Sequence, residues 1–464
     1  MGRSALIQAK APDVMSGAYR AVWRWHFHAG VLVMPFLMLL TLTGGLYLFK
    51  DEIDHVLYRS MIEIPARSQQ ADPDQWLAAA ARAGEGRAAN VLVPDRADQA
   101  VRVRVDQPNG AQRTVFVDPH TAAVTGVTAY GGVTETIKAL HSLSLFGGPI
   151  GTALNILVEI VAGWAIILCA TGLYLWWPRR RAGAVLKPSE TDASRRPFWR
   201  DVHALTGFYV GGVIIFLAVT GMPWSAVWGD QFMGVMRDTG LGRPPAPAAA
   251  SPWSHAKPHD APAGVGWTLE NAVLPAHDHS HGHDPAAPSL NRVLQTAHER
   301  GLPRPFTVSI PQSSDLAWTV ARQTRKAEDA RSLYVDGVSG AVKADLRWSQ
   351  FGVMAKGFEW GIAVHQGMQY GWVNRIVMLI GCIAVWLLAI SGLVMWWKRR
   401  PPDLSRRRTG APTAPPAPRA RIAVLCIVIP LSILYPLTGL SLVAALLLDR
   451  AVRAFSGAKP VAAS

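Results

Sequence analysis

Four histidines occur as two matched pairs beside long apolar stretches. His26, in WRWHFHAG, and His203, in WRDVHALTG, each stand four residues before a glycine and just ahead of an apolar stretch. His141, in ALHSLSLFG, and His365, in AVHQGMQYG, each precede a later apolar stretch. Imidazole is a common metal ligand, and an ionisable residue beside a membrane span is by default a functional hypothesis. The pattern predicts two metal-binding pairs; the alternative is that each histidine only hydrogen-bonds at a membrane interface.

The apolar stretches are long enough to be membrane spans. Of 464 residues, 50% are hydrophobic and 17% are charged, which excludes a disordered chain and does not fit an ordinary soluble protein. A helix needs about 20 residues to cross the hydrocarbon core. Five stretches meet that length: 29–49, 153–177, 204–227, 374–397 and 422–448. The three cysteines lie singly within them, so the sequence contains neither a disulfide framework nor a cysteine metal site.

Basic residues are concentrated in three segments. The tail 1–25 and the loops 178–202 and 398–421 together hold 19 basic and 5 acidic residues, which accounts for the net charge of +14. Because cytoplasmic loops of membrane proteins are rich in Lys and Arg, these segments are predicted to be cytoplasmic, and nucleic-acid binding is not indicated. The pairs Trp176-Trp177 and Trp396-Trp397, each followed by basic residues, fit the inner headgroup level.

The two halves of the chain repeat one order of features. Each half has a cytoplasmic histidine, an outward span, a β module, an outer histidine and an inward span. The alternating segments 114–126 (TVFVDPHTAAVTG) and 332–344 (SLYVDGVSGAVKA) each predict a hairpin with a turn at the aspartate. Since each half starts and ends inside, the repeats are parallel. We predict an α-helical integral membrane protein with small α+β periplasmic modules, a duplicated 2+2 set of spans and a fifth C-terminal span.

This organisation divides the chain into cytoplasmic, membrane and periplasmic segments. The predicted cytoplasmic segments are 1–28, 178–203 and 398–421, and the periplasmic ones are 50–152, 228–373 and the tail 449–464. An insertion rich in Pro, Ala and Gly occupies 240–289.

The histidine pairs suit a particular cofactor. Paired imidazoles from facing helices are the usual protein ligands of a low-spin b-type haem. His26 and His203 would then bind an inner haem and His141 and His365 an outer one, forming an electron path across the bilayer. A catalytic zinc is less favoured. It needs a third protein ligand and a water, and no intramembrane carboxylate except Glu159 is near.

His28 competes with His26 for the inner position. Two residues apart on a helix, they point to nearly opposite faces, so one of them can face the bundle, and the repeat favours His26. Four glycines that follow Thr or Ser would let either helices or a porphyrin approach closely. They are Gly44, Gly172, Gly221 and Gly392.

These segments carry a family resemblance. WRWHFHAG with Thr43-Gly44, LHSLSLFG…TGLYLWWPRR, FWRDVHALTGFY and VHQGMQYG…SGLVMWWKRR resemble the signature segments of the PepSY-associated transmembrane family, which includes iron-regulated inner-membrane ferrisiderophore reductases. The resemblance covers nearly all of residues 20–400. It implies periplasmic PepSY-type modules and two b haems, with His26, His141, His203 and His365 as ligands, that carry electrons toward periplasmic ferric substrates. The fifth span resembles a C-terminal extension of longer members.

Within the insertion, HDHSHGHD predicts transient capture of Zn, Cu or Ni ions or, alternatively, a solvated linker. Its histidines are His277, His279, His281 and His283.

The sequence favours one function over two alternatives. The first is a bacterial inner-membrane di-haem b electron-transfer protein that reduces a periplasmic ferric siderophore or related metal complex. No nucleotide-binding fingerprint appears, so a cytoplasmic protein, a quinol or a diffusible reductant would donate the electrons. The alternatives are a haem-free metal-handling protein or transporter and a PepSY-type periplasmic sensor or inhibitor.

Overall fold

The computed structural model describes residues 14–146, 148–177, 187–242, 287–312, 316–399 and 432–455, with short helical pieces at 425–426 and 429–430. The chain forms two compact units. We call Met1–Leu42, His141–Asp230 and Leu379–Ser464 the membrane unit, and Thr43–Leu140 and Gln231–Met378 the sheet unit.

Helices are the main elements of the described chain. They are α1 (Val14–Tyr47), α2 (Lys50–Ile62), α3 (Pro73–Gly84), α4 (Gly132–His141), α5 (Gly148–Trp176), α6 (Arg196–Gly221), α7 (Trp228–Asp238), α8 (Leu290–Glu299), α9 (Val353–His365), α10 (Gly371–Trp397) and α11 (Pro436–Phe455). The strands are β1 (Arg87–Val93), β2 (Val101–Asp106), β3 (Gln112–Val117), β4 (Val124–Ala129), β5 (Phe306–Ser309), β6 (Trp318–Arg322), β7 (Arg331–Val335) and β8 (Val342–Arg347).

Within the described residues, four helices are long and apolar enough to cross a membrane. Their candidate spans are Tyr19–Tyr47, Gly148–Trp176, Arg196–Trp224 and Gly371–Trp397. The first and third begin earlier than the hydropathy pattern predicts, because the helix continues through polar residues that the pattern assigns to the tail and loop. His26 and His203 therefore lie inside helices α1 and α6.

The four long helices share an apolar centre in the membrane unit. Leu37 of α1, Ala165 of α5, Ile214 of α6 and Val385 of α10 belong to one buried cluster. At one end of the bundle, the guanidinium of Arg399 lies 4.2 Å from the ring centre of Trp23, which links the chain after α10 to α1. The bundle thus brings together helices from both halves of the sequence.

The C-terminal helix α11 packs beside α5. The Trp164 indole donates to Ser441 Oγ at 2.8 Å, and a Cβ atom built on Gly163 would lie 2.0 Å from Thr438 Oγ1. The apolar part of α11, Pro436–Ala445, is shorter than the other candidate spans. The fifth span at 422–448 therefore stays a prediction.

The sheet unit contains one eight-stranded sheet. Its strand order is β4-β3-β2-β1-β5-β6-β7-β8, and every neighbouring pair is antiparallel. The central strands pair directly, with Asn90 opposite Ser309 and Leu92 opposite Thr307. The order helix then four strands occurs twice, as α3 with β1–β4 and α8 with β5–β8. The segments predicted as two modules are thus joined in a single sheet.

Helices α3 and α8 begin with side-chain caps and cover one face of this sheet. Asp72 accepts from Asp74 N at 3.0 Å, and Ser289 accepts from Arg292 N at 3.3 Å. Asp74 also accepts from Leu290 N at 2.6 Å, so the two helices meet at their N-termini. Trp76 and Leu290 belong to the buried cluster that both helices form with the sheet.

Both hairpins predicted from the alternating segments are present. Strands β3 and β4 pair on either side of a turn that begins at Asp118, and β7 and β8 pair on either side of a turn that begins at Asp336. Four residues beyond each aspartate the backbone is left-handed, at Ala122 (φ 58°) in the first hairpin and at Gly340 (φ 77°) in the second. An alanine thus adopts the conformation that favours glycine.

Candidate functional site

The candidate site is a pair of imidazole rings contributed by both halves of the chain. His26 on α1 and His203 on α6 have ring centres 6.3 Å apart and ring planes inclined at 86°. Both side chains are partly buried in the membrane unit. The structure thus brings together the two histidines that the sequence assigns to the inner site.

Each ring is hydrogen-bonded through Nδ1 to a hydroxyl on the helix that follows the β module of its own half. His26 Nδ1 lies 2.9 Å from Thr171 Oγ1 of α5. His203 Nδ1 lies 3.0 Å from Ser391 Oγ of α10 and 3.1 Å from the Leu388 carbonyl. The two halves therefore use the same contact for their histidines.

The hydroxyls fix which ring nitrogen carries the proton. Thr171 donates its hydroxyl hydrogen to Ile167 O at 2.7 Å, and Ser391 donates to Leu387 O at 2.6 Å. A hydroxyl has one hydrogen, so each oxygen must accept from the histidine N–H. Nδ1 is thus protonated in both rings, and the lone pair of the neutral imidazole is on Nε2, the usual arrangement for a metal-ligating histidine.

A glycine next to each hydroxyl residue makes room for the ring. A Cβ atom on Gly172 would lie 3.3 Å from His26 Cε1, and one on Gly392 would lie 3.7 Å from His203 Cε1. The sequence marks these two glycines only as places of close helix approach. In the structure, Thr171-Gly172 and Ser391-Gly392 each contact the Nδ1–Cε1 edge of a histidine, and we call each dipeptide a hydroxyl-glycine clamp.

Neighbouring helix contacts keep the same spacing in both halves. A Cβ atom on Gly30, four residues after His26, would lie 4.0 Å from Leu168. One on Gly207, four residues after His203, would lie 3.7 Å from Leu388. Helix α1 therefore meets α5 as α6 meets α10, which explains why a glycine follows each histidine at the same distance.

His28, the competing inner residue, lies elsewhere on α1. Its side chain is exposed, and Nδ1 is 3.1 Å from the Arg24 carbonyl of the same helix. This separation from the His26 position follows from the two-residue spacing on a helix.

The outer histidines belong to different units. His141 ends α4 and is assigned to the membrane unit. Burial lowers its pKa, and a hydrogen bond with the Leu40 backbone offsets that lowering only in part. His365 ends α9 in the sheet unit and is partly buried. Their pairing stays a prediction.

The remaining predicted metal ligands are the four histidines of the insertion 240–289. His277, His279, His281 and His283 are outside the described residues. Within the described residues, no group of three or more His, Cys, Asp or Glu side chains is arranged to hold a metal ion.

Glu159, the intramembrane carboxylate, has a structural partner. Its side chain is 1% exposed, and Oε2 accepts from the backbone N–H groups of Val227 and Trp228, each at 3.1 Å. These N–H groups stand at the start of α7, where helix donors lack partners in their own helix. Glu159 thus attaches the start of α7 to α5.

The hydroxyl partners of the histidines are the residues that sequence reasoning missed. Thr171 and Ser391 occupy equivalent places before Gly172 and Gly392, in TGLYLWW and SGLVMWW. The recurrence of a hydroxyl residue before a glycine in both halves is the sequence signal that could have identified them.

Comparison with known proteins gives a family. A comparison with curated proteins finds no significant match. A family model described as the PepSY-associated TM region matches residues 23–399, a range that includes all four histidines, the sheet and the four long helices apart from the start of α1. The chain therefore belongs to the PepSY-associated transmembrane family.

Proposed function

We propose that this protein carries electrons across the bacterial inner membrane through histidine-ligated haem b and reduces a ferric siderophore or related metal complex in the periplasm. The observation that carries the proposal is the His26–His203 pair, with ring centres 6.3 Å apart. A metal ion about 2.0–2.1 Å from one nitrogen of each ring would separate the ring centres by roughly 6 Å. The ring spacing therefore fits one metal ion bound between two imidazoles.

The donor set fits haem. A low-spin b-type haem is commonly held by two imidazoles of the protein, and histidines that face each other from two bundle helices could supply them. The hydrogen bonds at Nδ1 leave each Nε2 with its lone pair. His26 and His203 would hold the inner haem, and His141 and His365 a second, outer haem. Bound haem supplies a centre that accepts and releases one electron at a time.

The surroundings of the inner pair suit a dry electron site. Thr171 and Ser391 orient the two rings and keep their protons on Nδ1. Further along the bundle, Ala165, Ile214 and Val385 form a buried apolar cluster. Leu388, whose carbonyl lies beside His203, packs against this cluster. Burial among such groups limits the solvent access that otherwise sets a redox centre's potential.

The proposed direction of transfer rests on charge. The basic tail and loops adjoin the ends of the spans where His26 and His203 lie, and the positive-inside rule assigns those ends to the cytoplasm. Electrons would enter there, from another protein, a quinol or a diffusible reductant. The sheet unit would then be periplasmic and shape the substrate face. Reduction releases the metal, because hard oxygen ligands hold Fe(II) less strongly than Fe(III).

Haem content and spectra test the proposal. The purified protein, made in haem-replete cells, should give low-spin b-type bands in a dithionite-reduced minus oxidised spectrum, at about two haems per chain. His203→Ala and His365→Ala should each lose one haem, whereas His298→Ala, on the exposed side of α8, should lose none. A colourless wild-type protein would overturn the proposal and favour metal-ion handling.

A further inference from the structure

The two imidazole planes of the inner pair are almost perpendicular, and the backbone alone does not impose that angle. His26 and His203 differ by 86° in ring plane. The torsion that rotates a histidine ring about its Cβ–Cγ bond is broad. A contact at the ring edge is therefore needed to hold one orientation.

The hydroxyl-glycine clamps supply that contact. The Thr171 hydroxyl accepts a hydrogen bond from Nδ1 of His26. Gly172, which has no side chain, leaves room for the neighbouring ring atom Cε1. Ser391 and Gly392 hold the same edge of His203. Each hydroxyl is itself fixed by donation to the carbonyl four residues back in its helix. Rotation of either ring would break the bond at Nδ1.

We infer that Thr171 and Ser391 are positioning residues that fix perpendicular axial ligand planes at the inner haem site. This inference rests on the proposed function. Perpendicular imidazoles donate equally to two d orbitals of a low-spin ferric ion, which leaves those orbitals nearly equal in energy. Parallel imidazoles donate mainly to one of these two orbitals, so the orbital energies differ. The two arrangements therefore differ in the magnetic anisotropy of the ferric ion, a property independent of turnover.

The two clamps are unequal in strength. His203 Nδ1 has a second acceptor, the Leu388 carbonyl at 3.1 Å, whereas within the described part of the chain His26 Nδ1 has one acceptor, the Thr171 hydroxyl. Loss of the Thr171 hydroxyl should therefore release its ring more completely than loss of the Ser391 hydroxyl. This order distinguishes ring positioning from a general loosening of the bundle.

Electron paramagnetic resonance of the oxidised, full-length protein tests the inference. The wild type should show a highly anisotropic low-spin ferric signal that is lost in His203→Ala, which assigns it to the inner site. In Thr171→Val, with haem retained, the signal should move toward the less anisotropic form of parallel rings. Ser391→Ala should show a smaller change, and Thr171→Ser should restore the wild-type signal.

The control is Thr41→Val. Thr41 on α1 also donates to its own helix, at Leu37 O, so this variant removes the same kind of hydroxyl. The signal should be unchanged. A haem-loaded wild type with an inner signal typical of parallel rings, or one that Thr171→Val leaves unaltered, would overturn the inference and leave the proposed function standing. A wild type without haem would overturn both.

Discussion

A methyl group on Gly172 would lie 3.3 Å from Cε1 of His26, closer than most side-chain contacts, whereas one on Gly392 would lie 3.7 Å from Cε1 of His203, an ordinary contact distance. The two halves of the molecule thus differ by a few tenths of an ångström at equivalent positions.

Gly172→Ala should displace the His26 ring, whereas Gly392→Ala should leave His203 in place. We expect lower haem content or shifted low-spin bands in the first variant and wild-type spectra in the second. Alanine stabilises a helix interior by about 0.5–1 kcal/mol relative to glycine, so Gly392→Ala should also melt slightly higher. Equal spectral changes in both variants would contradict the contact geometry.

His26→Ala should remove the inner haem, and His28→Ala should not. The reason is their positions on α1, where His26 faces His203 and His28 is exposed beside the Arg24 carbonyl. Haem-to-protein stoichiometry of the two purified variants measures the difference. If His28→Ala lost a haem and His26→Ala did not, the inner ligand assignment would be wrong.

Glu159→Ala should lower the melting temperature more than Glu159→Gln. Alanine leaves the buried N–H groups of Val227 and Trp228 without their acceptor, and an unsatisfied buried donor costs about 1–3 kcal/mol. Glutamine retains an amide oxygen that can accept both bonds. Thermal unfolding of the detergent-solubilised variants tests this, and similar melting temperatures would argue against the capping role.

Ala122→Gly should stabilise the first hairpin, while Gly340→Ala should destabilise the second. Both residues are left-handed, a conformation that disfavours side chains by about 1–2 kcal/mol. At position 340 a Cβ atom would also meet Arg292 Cγ at 3.1 Å. We expect changes of about 1 kcal/mol in opposite directions, measured by thermal unfolding. Changes of the same sign would refute the equivalence of the two turns.

Acid should destabilise the sheet unit in part by protonating the Asp345 carboxylate. Burial raises the pKa of this carboxyl, but hydrogen bonds from Arg331 and Arg347 outweigh burial and hold the pKa below its ordinary value. The ionised form therefore stabilises the fold above the ordinary pKa of about 3.9, and that contribution is lost as pH falls through the lower folded-state value.

Replacing Asp345 should remove this contribution. Asp345→Asn should reduce stability at neutral pH by about 1.5–3 kcal/mol, because hydrogen bonds to a charged group are lost, and should flatten the decline in acid. Melting temperatures between about pH 3 and 7 report both effects. The matched control is Asp238→Asn, which removes a highly exposed ion pair with Arg237 and should change little.

The sequence predicts the elements better than their connections. The alternation of apolar and polar residues at 114–126 and 332–344 predicts both hairpins correctly, because the pattern of a half-buried strand lies within a few neighbouring residues. It gave no sign that β1 and β5 pair, since that contact joins Asn90 to Ser309. Hydropathy marks the apolar length of a span and not where its helix begins, so it does not show that α1 and α6 begin before His26 and His203.

The candidate site shows the same division. Repetition of the histidines predicted an inner pair, and the structure brings His26 and His203 together. The proton position on each ring depends on Thr171 and Ser391, which are far from the histidines in sequence. Such partners follow from the packing of α1 on α5 and of α6 on α10.

The β1–β5 pairing also bears on how the chain matures. Strand β1 emerges from the ribosome long before β5, with two candidate spans between them. Until β5 arrives, the half-sheet β1–β4 exposes a hydrogen-bonding edge at β1, and exposed edges invite aggregation. Pairing over so long a chain separation is also intrinsically slow. Biogenesis therefore includes a vulnerable interval that ends only when β5 has been synthesised and has paired with β1, and a truncation after α6 would make that interval permanent.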